Sequence, residues 1–392
     1  MSGPRTSVVM SVYNGMPFLE DAIRSILDQS SSDLEFLVVD DGSTDGGAGV
    51  LQRWSQLDER LKVLHHRVNQ GVARSRNAAL RLARGAYVAC QDADDVSLPD
   101  RLSRQASYLD GEPEVGMVGT QVAFIGDQGF PEDGQHSDFP VSNADLQDHL
   151  LVSNCFCAGS VMMRREDLDK VGFYDQALAP SEDYDLWLRL AEVAKIANLP
   201  DVLYRYRLHD GSASSQNRGL QMHRKAVALQ RALLRREGEP LSPSARQAIV
   251  RDFLRAACIG AAAGEIDVAR LSAEQAIELA DGRDTAALIA DVVLRYAQGH
   301  WGADARRHVA TFFDEVLPPG TASDKARRRV LSQLYIGDVF DGTQADVDRR
   351  FLLAVKDDPR WLSNRGVWSI GLRHLTSILR KADDVTPEDP RR

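Results

Sequence analysis

One pattern constrains the fold more than any other and recurs along the first 95 residues: a short apolar, β-branched run that empties into small or acidic residues and is followed by helical periodicity. Ser7 to Tyr13 is the first such run. Asn14-Gly15 breaks it, and after Pro17 the apolar positions Phe18, Leu19, Ala22, Ile23, Ile26 and Leu27 trace one face of a helix. LEFLVVDD is almost continuously apolar up to Asp40 and Asp41, as a parallel strand buried on both faces must be, and it opens into the polar loop GSTDGG. The spacing then predicts a helix around 49–57, a third strand at LKVLHH and a helix over 72–84. That helix is expected to stop at Gly85, the residue type that best tolerates a left-handed turn, before the fourth strand, AYVACQ. Such alternation dictates an α/β fold with a Rossmann-like, mostly parallel sheet, helices on both faces and a ligand site at the carboxyl ends of the strands. Those ends carry Ser11 to Asn14, Asp40 to Asp45 and Asp92 to Asp95.

From about residue 216 the strand pattern fades into Ala, Leu, Arg and Glu, which predicts an all-α domain over 216–392 after an α/β domain over 1–215. AAAGEIDVARLSAEQAI looks like one helix hairpin of a tetratricopeptide-like unit, without a repeat at the required period. Near the end, Trp368, Leu372, Leu375 and Leu379 share a helical face with Arg373, Arg380 and Lys381 nearby, a helix compatible with packing on its neighbours or with peripheral contact at an anionic membrane. These helices also leave room for a homo-oligomer.

A formal net charge of −10 argues against a nucleic-acid-binding surface, which shows itself as a basic excess. Four cysteines in 392 residues do not make a disulfide framework, and MSGPRTSVVM has no charged region leading into an apolar stretch. A cytoplasmic protein is expected, peripheral at most on the inner face of a membrane, since no apolar run is long enough to span one. Cys155 and Cys157 lie close to His149, but no second pair completes a tetrahedral zinc set, so a buried structural role is expected of them.

The chemistry concentrates in CQDADDVSLPDRL, where Asp92, Asp94 and Asp95 follow an apolar strand and precede a helix beginning near Pro99. Carboxylates this close repel one another unless a cation or hydrogen bonds offset their charge, and hard oxygen donors suit Mg2+ or Mn2+. A loop in which Asp95 or Asp100 merely caps the next helix would give the same local sequence.

In its first 215 residues the chain resembles glycosyltransferase family 2, with the GT-A fold. The resemblance rests on SVYNGMPFLEDAIRSILDQ, VVDDGSTDG, NQGVARSRNAALRLARGAYVACQDADD, AGSVMMRREDLDKVGFYD, SEDYDLWLRL and YRYRLHDGSAS, in that order. It implies a metal-dependent, inverting transfer of a sugar from a nucleotide diphosphate sugar, a UDP-sugar being favoured, to a hydroxyl on a glycan or lipid-linked acceptor. Tyr13 would flank the base, with Ser11 also at the nucleotide, and Asp41 would bond base or ribose. Arg76 would contact nucleotide or phosphate, Asp92 ribose or metal. Asp94 would be the principal ligand of Mn2+ or Mg2+, joined by His209, with Arg207 at the diphosphate. Asp183 would be the catalytic base, supported by Glu182, with Asp185 a weaker candidate.

Several of these positions have a plainer local reading. Asp41 could close an Asx-turn in DDGS, as could Asp40 or Ser43; Arg76 could be a solvated helix arginine; an acid at the start of SEDYDLWLRL could simply favour the helix dipole. The position after the first strand reads SVYNGMP, without the Gly-rich, Arg-containing loop of a nucleotidyltransferase and without the G-x-G-x-x-G of a dinucleotide-binding dehydrogenase. The remaining alternative is a non-catalytic binding module on the same fold, using the helical half as its interaction surface.

Overall fold

The computed structural model describes residues 3–126, 131–209, 211, 217–238, 240–280, 285–301 and 304–341. The chain divides into two compact units, Met1–Ala248 and Ile249–Arg392.

The first unit opens with β1 (Thr6–Val12), α1 (Leu19–Leu27), β2 (Leu34–Asp40), α2 (Gly47–Leu57), β3 (Leu61–His65), α3 (Val72–Leu82) and β4 (Tyr87–Asp92). These four strands pair in parallel in the order β3-β2-β1-β4. Every residue of β2 is buried, as a parallel strand covered on both faces requires. Register decides where the strands end: Ser11 lies opposite Val39 on one side and Asp92 on the other, and Val12 opposite Asp40. Three polar loops therefore leave the sheet at one level.

Past β4 the sheet is mixed. β5 (Val96–Ser97), α4 (Arg101–Gly111), β6 (Val115–Ile125), β7 (Pro131–His136), α5 (Asn143–Leu150), β8 (Met162–Arg164), α6 (Arg165–Val171), α7 (Glu182–Val193) and β9 (Lys195–Arg207) follow, continuing the order as β4-β8-β6-β9-β5 with β7 on β6. Of these pairings only β6 with β9 is parallel. α8 (Arg218–Glu237) packs along α7, and Arg231 and Arg235 bind Asp175 and Glu192.

Two local expectations change. α3 stops at Leu82, and Gly85 is not in the left-handed region; a Cβ there would stand 2.5 Å from Ser7 N, so the glycine serves a close approach of backbone to β1. At the strand entrances Glu35 is buried and accepts bonds from Ser7 Oγ, Lys62 Nζ and Arg84 Nη2. Burial alone would raise its carboxyl, but the Arg84 and Lys62 bonds hold it at about 2.

The second unit is helical. The division falls within α9 (Pro243–Ala263), and α10 (Ile266–Leu279), α11 (Thr285–Gly299), α12 (Ala305–Thr311) and α13 (Thr321–Asp341) follow. The expected hairpin is α9–α10, turned at Gly264 with φ +79° and packed where Gly260 meets Ala269. Its core includes Phe253, Cys258, Val293, Phe312 and Val330. The amphipathic face around Trp368 to Leu379 lies outside the described residues, and among those described no helix is long and apolar enough to cross a membrane.

Candidate active site

β4 delivers Asp92, Asp94 and Asp95 to a tight loop, and the three carboxylates take different surroundings. Asp95 is buried, and its Oδ1 accepts the Arg207 N–H at 2.8 Å, which ties the loop to the end of β9. Burial, and then the charges of Asp94 and Asp92, push its carboxyl well above the usual range. Asp94 is the most solvent-facing of the three, and its Oδ2 stands 2.9 Å from His209 Nε2. Neither Asp95 nor Asp100 caps α4: the first is bound to Arg207, and the second makes no side-chain cap.

Arg207 lies beneath this loop. Its Nε donates to Asp94 O at 2.7 Å and its Nη1 to Gly126 O at 3.1 Å, while Phe18 covers the guanidinium with its ring centroid 4.4 Å away. Phe18 also meets His209, centroid to centroid at 5.1 Å. The sequence reading put Phe18 on the buried face of α1; it sits instead at the helix N-cap, between two residues of the site.

Arg76, on α3, is buried rather than solvated. Its Nη2 donates to Asp92 Oδ1 at 2.5 Å, its Nη1 lies 3.6 Å from Glu182 Oε1, and Tyr174 faces it with the ring centroid 5.6 Å away. Burial alone would weaken its hold on the proton, but Asp92 and Glu182 more than offset this and the guanidinium stays charged. One cation thus joins the acidic loop to the first turn of α7. There Glu182 is buried with Oε2 lacking a hydrogen-bond partner, and burial followed by the neighbouring Asp183 charge raises its carboxyl to about 7. Burial also raises Asp183, although the Tyr184 N–H donates to its Oδ1 at 2.7 Å. Asp185 is engaged by Arg189, whose guanidinium also holds the carbonyls of Val171, Gly172 and Phe173.

At the ends of β1 and β2 the paired aspartates divide their tasks. Asp40 closes the DDGS turn, accepting the Ser43 N–H at 3.0 Å. Asp41 accepts from His66 Nδ1 at 2.7 Å, from the Gln70 N–H at 3.0 Å on each oxygen, and from the Gly71 N–H at 2.8 Å. These four contacts, two on each oxygen, occupy about four acceptor positions, so Asp41 is engaged within the protein and holds the 66–71 loop against the end of β2. Asn14, at φ +51°, links the two loops through Ser43 Oγ and the Thr44 N–H. Tyr13 beside it is 52% exposed, an aromatic face left open at the strand ends, with Ser11 in register with Asp92.

A divalent cation can be tested against these donors. Asp94 and His209 offer one carboxylate oxygen and one imidazole nitrogen side by side; the carboxylate suits either Mn2+ or Mg2+, and the softer nitrogen favours Mn2+ of the two. Among the described residues no group of three or more His, Cys, Asp or Glu surrounds a common centre. Phosphate oxygens and water would complete the shell, as these ions favour, so the residues fit a cation that arrives with a diphosphate.

Sequence reasoning missed Arg101, Tyr204 and Gly159. Arg101 is fully buried, donates to Gly159 O and Cys90 O, and lies over the Tyr204 ring at 5.3 Å. A Cβ on Gly159 would stand 2.0 Å from Tyr204 Oη and 2.9 Å from Asp92 Oδ2, so the chain passes there only as glycine. The glycine in AGS was the one visible trace of this contact. Cys155 and Cys157 are buried free thiols beside it.

The profile of the family described as Glycosyl transferase family 2 matches residues 7–172. The putative glycosyltransferase EpsE of Bacillus subtilis is 33% identical over 210 residues, spanning 53% of this chain and 74% of that protein. The putative teichuronic acid biosynthesis glycosyltransferase TuaG of the same organism is 32% identical, over 54% of this chain and 82% of its own. The O-antigen biosynthesis glycosyltransferase WbnJ of Escherichia coli is 33% identical, over 53% and 80%. In fold, the crystal structure of S. aureus TarS 1–349 in complex with UDP-GlcNAc is similar at a TM-score of 0.58 and 20% identity, across 84% of this chain and 91% of that one.

Proposed function

We propose, from the premise that this chain belongs to glycosyl transferase family 2, that it is an inverting enzyme moving a sugar from a nucleotide diphosphate sugar to an acceptor hydroxyl. A UDP-sugar is the favoured donor. Relatives named for teichuronic acid and O-antigen biosynthesis support an acceptor in polysaccharide or glycoconjugate assembly. In this reading the acceptor is a glycan or a lipid-linked intermediate and the protein works in the cytoplasm.

The observation that carries this reading is the Arg76 bridge between Asp92 and Glu182, which brings the acidic loop and the first turn of α7 into one cluster. Tyr13 would stack on the base, Ser11 and Asp41, the latter by exchanging one of its loop contacts, would bond nucleotide, and Arg76 and Asp92 would orient ribose and phosphate. Asp94 and His209 would hold Mn2+ or Mg2+, which when bound supplies positive charge against that developing on the diphosphate. Arg207, expected at the diphosphate, is buried beneath the acidic loop and would keep that loop in shape. Asp183 would accept the proton of the acceptor hydroxyl as its oxygen bonds to the anomeric carbon. The bond to the diphosphate breaks on the opposite face and its electron pair leaves with the nucleotide. One such displacement inverts the anomeric configuration.

The test is a panel of UDP-, GDP- and dTDP-sugars with Mn2+ and polysaccharide-repeat acceptors, read by product mass and by the anomeric coupling of the product. Absence of turnover from every donor would overturn the enzymatic reading, and a retained configuration the single-displacement step.

A further inference from the structure

The segment 150–156, between α5 and β8, is fastened from several sides beside the first turn of α7. Tyr184 Oη donates to Leu150 O at 2.6 Å, Lys225 Nζ of α8 donates to Val152 O at 2.8 Å, and Asn198 Nδ2 of β9 donates to Cys155 O at 3.1 Å. Between those anchors Asn154 turns its side chain to Asp183, with Nδ2 3.4 Å from Asp183 Oδ2. The orientation of the amide is fixed by its other end, because Asn154 Oδ1 accepts the Phe156 N–H at 3.2 Å. An amide whose oxygen is engaged by a donor must present its NH2 to the opposite side. Asp183 is therefore gripped at both oxygens, by the Tyr184 N–H on Oδ1 and by Asn154 on Oδ2.

We propose that Asn154 is a positioning residue for the proton transfer, holding one oxygen of the Asp183 carboxylate so that the other lone pairs face the acceptor hydroxyl. The proposal rests on the reading of Asp183 as base. A donor on a carboxylate oxygen favours its ionised form, the form that accepts a proton, and limits rotation about the side-chain torsion. The contact is long for a hydrogen bond, as catalytic contacts are before substrate binds, and it closes when the acceptor displaces solvent. The other groups facing Asp183 are Glu182 on its own helix, Arg76 from α3, Asp92 from β4 and Tyr174 from the loop before α7.

Asn154→Asp keeps an acceptor for the Phe156 N–H but cannot donate to Asp183; because it also sets a charge beside that carboxylate, Asn154→Ala, which removes the donor and adds none, must move the acid limb in the same direction. The full-length protein is assayed with Mn2+ on the most rapidly consumed of UDP-glucose, UDP-galactose, UDP-N-acetylglucosamine and GDP-mannose, by release of nucleotide diphosphate. The variant is expected to keep the donor KM, to lose about 10- to 100-fold in kcat, and to move the acid limb of the pH profile upward. In an Asp183→Asn background the same change should cost nothing further. Parental kcat and an unmoved acid limb in Asn154→Asp, with Asp183→Asn inactive, would overturn the proposal. Turnover by Asp183→Asn at the parental rate, or consumption of none of the four donors, would instead overturn the base assignment or the function beneath it. Should Asn154→Asp melt well below the parent, Asn154→Ala decides: an upward acid limb supports the positioning role and an unmoved one refutes it.

Discussion

Arg76 Nη1 lies 3.6 Å from Glu182 Oε1, a contact between residues of α3 and α7 made in the interior rather than at the surface. Because Nη2 of the same guanidinium is engaged with Asp92 at 2.5 Å, one buried cation offsets two carboxylates that local sequence gives no reason to associate. Removing one partner of such a buried set leaves the others uncompensated.

Arg76→Met is therefore expected to destabilise the first unit by about 3 kcal/mol, measured by urea denaturation. Arg76→Lys keeps the charge but not the fork that reaches both carboxylates, and should lose less stability while still weakening nucleotide binding in calorimetry. Parental stability of Arg76→Met would show that the bridge contributes nothing.

Asp94 and His209 should separate from Asp183 in binding. Asp94→Ala is expected to remove the enhancement of UDP binding by Mn2+, and His209→Ala to reduce it by about tenfold, in paired titrations with and without the ion. Asp183→Asn should bind UDP and Mn2+ as the parent does while losing about 100-fold or more in turnover. Equal Mn2+ enhancement in parent and Asp94→Ala would remove Asp94 from the ligand set.

Glu182 predicts a pH-dependent gain of stability on neutralisation. Its folded carboxyl titrates at about 7, above the ordinary 4.5, so the native state holds the proton more tightly than the unfolded one. Stability from this group accordingly falls as pH rises from about 4.5 to about 7 and stays low above that. Glu182→Gln escapes the loss: it should match the parent near pH 4 and exceed it by about 2 kcal/mol near pH 8.5. A lower melting temperature than the parent near pH 8.5 would contradict this. Activity is expected to fall in the same variant, as where a site stores strain.

Glu35 predicts the opposite dependence at the other end of the sheet. Its carboxyl titrates at about 2 when folded, below the ordinary 4.5, so its contribution is fully present above about pH 4.5 and is lost as pH falls towards 2. Glu35→Gln should destabilise the protein by about 2–3 kcal/mol near neutral pH, with the gap from the parent narrowing below about pH 4.5. A gap that stays constant down to about pH 2.5 would assign the effect to packing alone.

Much of this was legible in the chain. Strand-helix alternation up to Asp92 and the helical half follow from periodicity, because burial on a sheet or along a helix face imposes its period on the residues concerned. The acidic loop after β4 and the acids at the start of α7 were visible as local clusters, and Asp92, Asp183 and Glu182 do come into one neighbourhood. The mixed half of the sheet was not legible: β8 is a three-residue strand, and β6 pairs with β9 across some 80 residues. Nor was the division between Asp40 and Asp41, since both stand at the end of the same strand and only the 66–71 loop distinguishes them.

Sequence alone determined which residue types gather at the carboxyl ends of the strands, because a parallel strand buried on both faces is apolar through its middle and confines polar residues such as Glu35, Asp40 and Asp41 to its two ends. Tertiary structure decided what each one does. Asp94 meets His209 across 115 positions, Asp95 meets the Arg207 N–H across 112, and Phe18 leaves its helix face to lie against both Arg207 and His209. The physical reason is the reach of the interactions. Helix and strand periodicity acts between residues a few positions apart, whereas the charge, exposure and orientation of a buried carboxylate are set by whichever groups the folded chain brings within about 4 Å of it.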